Sequence, residues 1–139
     1  ASEGPLSPAQ EALWFLEKLE GGGSAYNLSL PIRLTGPLSV TRMQSGLEKL
    51  RARHGALRTV IREVDDRPKQ YVLPPDSPEL LPVNPLLIES VENEQDLLRA
   101  VKLESQRPVR IAGGQLWHAR LLRLSDSDHV LMIVLHHVI

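Results

Sequence analysis

The sequence predicts an α/β fold, a two-layer arrangement of three helices on a mixed sheet. Three segments carry helix N-caps followed by apolar residues at helical spacing. Short β-branched runs, bounded by Gly, Pro and Asp, lie between them. The last strand, Val130 to Leu135, is apolar without interruption, the pattern of a strand covered on both faces. With 139 residues there is enough chain for one domain with a core.

The first helix starts at Ser7, an N-cap followed by Pro8 and by Gln10 at the capping-box position. Ala9, Ala12, Leu13, Leu16 and Leu19 then share a face expected to point inward. The run Gly21-Gly22-Gly23-Ser24 ends it as a flexible turn; no strand precedes it to make a phosphate loop. Tyr26 to Gly36 reads as a strand, with Pro31 suggesting an edge or a bulge. Ser39 caps a second helix with Val40, Met43, Leu47 and Leu50 inward, and Gly55 is expected to stop it. Ala56 to Val64 and the short run from Tyr71 form a hairpin around Asp65 to Gln70.

Five prolines between Pro74 and Pro85 mark a surface loop. Leu86 to Ser90 is a further strand. Asn93 caps a third helix to about Gln106, with Leu97, Leu98, Ala100 and Val101 inward and Pro108 as its stop. Gly113-Gly114 turns the chain into the strands Gln115–Leu124 and His129–Leu135, joined through Ser125 to Asp128.

Composition excludes several functions. Sixteen Lys and Arg against 17 Asp and Glu give a net charge of -1, so there is no electrostatic case for nucleic acid or an anionic membrane. No cysteine means no disulfide, zinc-thiolate site or thiol catalysis. No apolar run reaches the length of a membrane span, and the N-terminus has no signal-peptide pattern. These features are those of a cytoplasmic chain. Walker loops, dinucleotide fingerprints, nucleophile elbows and HExxH are absent, and no bound cofactor or metal is expected.

The chemistry-bearing candidates are few. His136 and His137 end the apolar strand, and successive strand side chains point to opposite faces, so they do not readily share a metal. Either both are packed histidines, or one serves as a general base or positioning group. Arg51 and Arg53, with His54, stand at a helix end, where basic residues complement the helix dipole. Arg58 falls inside the expected strand among apolar neighbours, where an arginine needs a partner such as a carboxylate. His118 reads as a packing residue and His129 as exposed.

Three stretches together resemble the condensation domains of nonribosomal peptide synthetases. Leu6 to Leu16 (LSPAQEALWFL) resembles the first core motif, with its Ser-x-Ala-Gln start. Arg53 to Ile61 (RHGALRTVI) resembles the second, Arg-His-Glu-x-Leu-Arg-Thr. Leu135 to Ile139 (LHHVI) resembles the opening of the third, His-His-x-x-x-Asp-Gly. The order and spacing match, and the resemblance covers nearly the whole chain. It implies a chloramphenicol-acetyltransferase-like fold, of which residues 1–139 would be most of the N-terminal lobe, ending inside the third motif and inactive without the C-terminal lobe. It implies an acyltransferase that joins an acyl or peptidyl thioester to the amine of an aminoacyl thioester, both carried on phosphopantetheine. Its partners would be carrier-protein domains, the C-terminal lobe and neighbouring synthetase modules.

The resemblance makes His137 the residue that orients or deprotonates the amine or steadies the tetrahedral intermediate. His136 becomes its structural neighbour, and Arg58 the partner of the motif aspartate. Three positions depart from the family pattern: Ala12 stands where Arg is usual, Gly55 where Glu is usual, and Arg110 where an acid is usual. An epimerization or other modified domain, a CoA-dependent acetyltransferase of the same fold, or a non-catalytic platform for a carrier or partner protein are the alternatives. The histidine pair argues against a heterocyclization domain.

Overall fold

The computed structural model describes residues 2–21, 25–81 and 86–139. Gly22, Gly23 and Ser24 of the glycine-rich turn, and Pro82 and Pro85 of the proline-rich loop, lie outside the described residues. The elements in chain order are β1 (Ser2–Pro5), α1 (Pro8–Glu20), β2 (Asn27–Thr35), α2 (Val40–Arg53), β3 (Thr59–Val64), β4 (Arg67–Val72), β5 (Leu87–Ser90), α3 (Glu94–Ser105), β6 (Trp117–Ser125) and β7 (Asp128–His136). The strands divide into two sheets, β1-β4-β3 and β2-β7-β6-β5. In the larger sheet β5 and β6 pair in parallel and the other described pairs are antiparallel, so the sheet is mixed.

Helices cover both faces of the larger sheet. On one, Leu97 and Ala100 of α3 pack on Leu122, Val130, Met132 and Val134. On the other, Leu47 of α2 packs with Trp117, Leu121 and Leu131. This explains the unbroken apolar text of β7: it is a central strand buried from above and below. The helix α1 lies apart, with Leu13 and Trp14 against a cluster of Leu6, Ile61, Ile111, Leu116 and Val138.

All three helix caps form as expected. Ser7, Ser39 and Asn93 accept from the backbone N–H three residues on, and Gln10 completes the capping box at Ser7. Pro31 sits on β2, an edge strand of the larger sheet. The strand β4 starts earlier than the sequence suggests. Asp65 and Asp66 both have positive φ (53° and 61°), making a two-residue turn between Val64 and Arg67. Pro68 then falls opposite Glu63, at a position that exchanges no bonds with β3. It also lies one residue beyond Lys69, where pairing with β1 ends. A proline is tolerated there because its missing N–H has no partner to serve. The strand β1 has no signal in the sequence; Ser2, Glu3, Gly4 and Pro5 pair along β4 from Ser2–Val72 to Pro5–Lys69.

Further sequence expectations require correction. Of the face of α1 expected inward, Leu13 is packed inside but Ala9, Ala12, Leu16 (39% exposed) and Leu19 (69%) face outward, and the inner face is completed by Gln10, Trp14 and Glu17. Leu98 of α3 and Leu50 of α2 are exposed, and the inner face of α3 carries Glu104 instead. Gly55 is not a left-handed helix stop; it begins a 3-10 turn over Gly55–Arg58, after α2 has been capped by His54. His129 is buried rather than exposed.

Candidate active site

The end of β7 is fixed from both sides. The His136 N–H donates to Leu116 O at 2.8 Å and the His137 N–H to Tyr26 O at 2.7 Å. The chain then turns, with the Ile139 N–H donating to His136 O at 3.2 Å. The two imidazoles differ sharply. His136 is 1% exposed, whereas the next residue, His137, is exposed.

His136 uses both ring nitrogens. Nδ1 accepts from the Val138 N–H at 3.0 Å, so the ring proton belongs on Nε2, which lies 2.9 Å from Glu17 Oε1. The other oxygen of Glu17 accepts from the Ile111 N–H at 2.8 Å. A proton on Nδ1 would face another N–H, so this geometry allows a single tautomer. Gln10 closes the arrangement. Its Oε1 accepts from the Ser7 N–H at 2.9 Å, and its Nε2 donates to Val138 O at 2.9 Å. The motif that caps α1 thus also holds the turn beyond the histidines.

Arg58 lies in the 3-10 turn ahead of β3, not inside the strand, and is half-buried. Its guanidinium donates to Arg51 O at 3.0 Å and to Leu73 O at 2.5 Å. Its partners among the described residues are therefore two backbone carbonyls, which tie the last turn of α2 to the chain leaving β4. The bond from Leu73 N to Arg58 O, 2.8 Å, closes the tie from the other side. Arg51 donates to Leu81 O, while Arg53 and His54 are exposed. None of these three approaches His136 or His137 through a hydrogen bond.

His118 and His129 are satisfied less well. Nε2 of His118 and Nδ1 of His129 are buried without a hydrogen-bond partner among the described residues. Burial holds both below the ordinary histidine range, with Arg107 and Arg120 adding to the effect at His118 and Arg123 at His129. The buried Glu104 is paired with Arg107 at 2.8 Å and Arg120 at 3.1 Å. Among the described residues no group of three or more His, Cys, Asp or Glu side chains could hold a metal ion, and no helix is long and apolar enough to cross a membrane.

Sequence reasoning singled out the histidines and missed Glu17 and Gln10 as their holders. A signal was present: Gln10 and Glu17 are seven residues apart, flanking Leu13 and Trp14 on one helical face. A count of apolar periodicity discards such polar residues, and it therefore set the inward face too far round the helix, sharing only Leu13 with the true one.

The solved structures this chain resembles have the same architecture. The first condensation domain of the CDA synthetase matches with a TM-score of 0.81 at 20% identity, covering 99% of this chain and 36% of that one. The X-domain from teicoplanin biosynthesis matches with a TM-score of 0.82 at 27% identity, covering 96% and 28%. The fold class is that of the CoA-dependent acyltransferases. The sequence model described as "Condensation domain" matches residues 1–139. A probable non-canonical nonribosomal peptide synthetase, CymA of Salinispora arenicola, is 38% identical over 96% of this chain. Phosphinothricin tripeptide synthetase PhsC of Streptomyces viridochromogenes is 33% identical over 97%. The chain belongs to the condensation-domain family of nonribosomal peptide synthetases. It spans 2% of the length of CymA and 12% of that of PhsC.

Proposed function

We propose that these residues form the N-terminal lobe of a condensation domain that makes an amide bond between two carrier-bound substrates, and that His137 serves the reacting amine. The amine of an aminoacyl thioester attacks the carbonyl of an acyl or peptidyl thioester. The C–N bond forms, the C–S bond breaks, and the donor carrier's pantetheine thiol is released. An imidazole beside the nitrogen can take the amine proton and return it to the departing sulfur. The observation that carries this reading is the division of labour in the pair: His136 is committed on both nitrogens, whereas His137 is exposed on a backbone held at both sides.

The apolar surface supports the assignment as one lobe of two. Leu28 and Leu30 of β2 are exposed, and they pair across the sheet with Leu135 and Ile133. This apolar strip lies on the sheet face opposite the one that Asn27 and Ser29 share with α3. Phe15, Leu16 and Leu19 make a second apolar surface along α1. Contiguous apolar surface marks contact with further protein or with a ligand. The C-terminal lobe is the assigned cover, with carrier-protein domains delivering phosphopantetheine-linked substrates between the lobes.

The test uses the complete domain with loaded donor and acceptor carriers in single turnover. His137→Ala is expected to lower amide formation by about 10²–10⁴ with little change in melting temperature. His136→Ala is expected to lower the melting temperature, because it opens a buried space and orphans Val138 N–H and Glu17. Reversed behaviour of the two variants refutes the assignment. A second reading, a non-catalytic platform, is favoured by the likeness to the X-domain, which has also been solved in complex with OxyB. A complete, folded domain that yields no amide from competent carriers but binds a partner protein would establish that reading instead.

A further inference from the structure

Two side chains of α1 control the turn that presents His137. Val138 follows that histidine, and both of its backbone polar groups are tied to α1. Its carbonyl accepts directly from Gln10. Its N–H is tied indirectly, through the His136 ring to Glu17. Glu17 is in turn anchored by the Ile111 N–H ahead of β6. His137 therefore sits between two anchored residues.

We propose that Glu17 is a positioning residue for His137, acting through His136. Its carboxylate selects the Nε2–H tautomer of His136, and the ring then fixes the peptide N–H just beyond His137. The proposal rests on the reading of His137 as the residue that serves the reacting amine.

The chemistry requires a carboxylate. Both Glu17 oxygens accept, one from a backbone N–H and one from an imidazole N–H. Glutamine has the same size but a single acceptor oxygen. Its amide NH₂ must then face either the Ile111 N–H or His136 Nε2. In the first case the bond to Ile111 is lost. In the second the imidazole proton moves to Nδ1, where it meets the Val138 N–H. Either way one bond of the chain from Ile111 to Val138 breaks while side-chain volume is kept. Glu17→Gln thus separates alignment from packing.

The experiment uses the complete domain with loaded carriers. Glu17→Gln is expected to lower kcat by about 10–100-fold, since a misplacement on the order of 1 Å costs about 10². KM for both carriers should stay within about twofold, because both Glu17 oxygens are engaged within this chain. Nitrogen NMR of the imidazoles should show His136 protonated on Nε2 in the parent, and that signature altered in the variant. Glu17→Asp keeps two acceptor oxygens and should restore the tautomer and part of kcat. Glu63→Gln, which removes only the exposed pair between Glu63 and Lys18, should match the parent.

A folded Glu17→Gln domain with parental kcat overturns the proposal, as does an Asp variant no faster than Gln. Should Glu17→Gln not fold, the Asp variant and the tautomer of His136 decide: a parental His136 signal accompanied by reduced kcat would place the effect elsewhere and refute the relay. His137→Ala is measured alongside. If that variant keeps full turnover, the assignment of His137 is what has failed. If it loses turnover while Glu17→Gln does not, only the positioning role is refuted.

Discussion

Arg58 gives the sharpest stability test, because sequence and structure assign it different partners. A buried ion pair broken on one side costs on the order of 3–5 kcal/mol. Here the guanidinium instead serves the carbonyls of Arg51 and Leu73 and is half-buried. Hydrogen bonds from a charged donor contribute about 1.5–3 kcal/mol each. Water can reach a half-buried site after truncation, which discounts the pair to roughly 2–3 kcal/mol in total. At about 2–4 °C per kcal/mol for a domain of this size, Arg58→Ala should lower the melting temperature by about 5–10 °C. Arg58→Lys keeps the charge but not the planar fork that spans two carbonyls, so it should recover less than half of the loss. The assay is thermal and urea unfolding of this chain, followed by the same variants in the complete domain. A loss in the chain within about 1 °C of zero, or a lysine variant equal to the parent, would refute the two-carbonyl account. A markedly larger loss in the complete domain than in the chain would identify an added carboxylate partner, as the family resemblance implies.

Three further outcomes are expected. Burial lowers the pKa of His118 and His129 in the fold, whereas the unfolded chain takes up protons near the ordinary value of about 6.5. Stability should therefore be complete above that pH and fall as pH drops from about 6.5 towards 5, which a series of melting temperatures would reveal; replacing both histidines by glutamine should flatten the slope in that window. Gly55→Ala would place a Cβ 3.2 Å from Val72 Cγ1, and should cost about 1 kcal/mol; urea unfolding should show a smaller cost in a Val72→Ala background. Leu97→Ala removes a side chain that is 1% exposed beneath the larger sheet, and should cost about 2–5 kcal/mol by the same measurement.

Much of the fold was legible because its signals are local. Ser7, Ser39 and Asn93 announce helix starts through side-chain chemistry that acts within three residues. The apolar run of β7 reports burial on two faces directly. The errors arise where a distant partner decides. The outward face of α1 is apolar by composition, yet polar Gln10 and Glu17 point inward because Val138, His136 and Ile111 await them. Asp65 to Gln70 reads as one turn, yet β4 already begins at Arg67, and Pro68 is accommodated because β1 ends one residue short of it. Arg58 reads as buried in a strand because Ala56 and Leu57 are apolar, although the 3-10 turn leaves it only half-covered. His129 follows an acidic turn and reads as exposed; the packing that buries it is tertiary.

The same distinction governs how the departures from the family pattern bear on the site. Ala12 stands on the exposed side of α1, away from the face that carries Gln10 and Glu17. Gly55 meets Val72 and lies beside the Arg58 guanidinium, in the contact between the α2 end and the small sheet. Arg110 has an exposed side chain, and what the turn needs from its neighbourhood is the backbone N–H of Ile111, which any residue at 110 leaves in place. None of the three supplies or removes a hydrogen bond to His136, Val138 or the backbone of His137. The groups that do so are two side chains of α1 and the backbones of Tyr26, Leu116 and Ile139, with the Ile111 N–H acting one step back, on Glu17. The differences thus fall on an exposed helix face, a contact with the small sheet, and a groove lined by Trp14, Glu17, Arg110 and Ile111, so that of the three it is Arg110 that borders the residues holding His136.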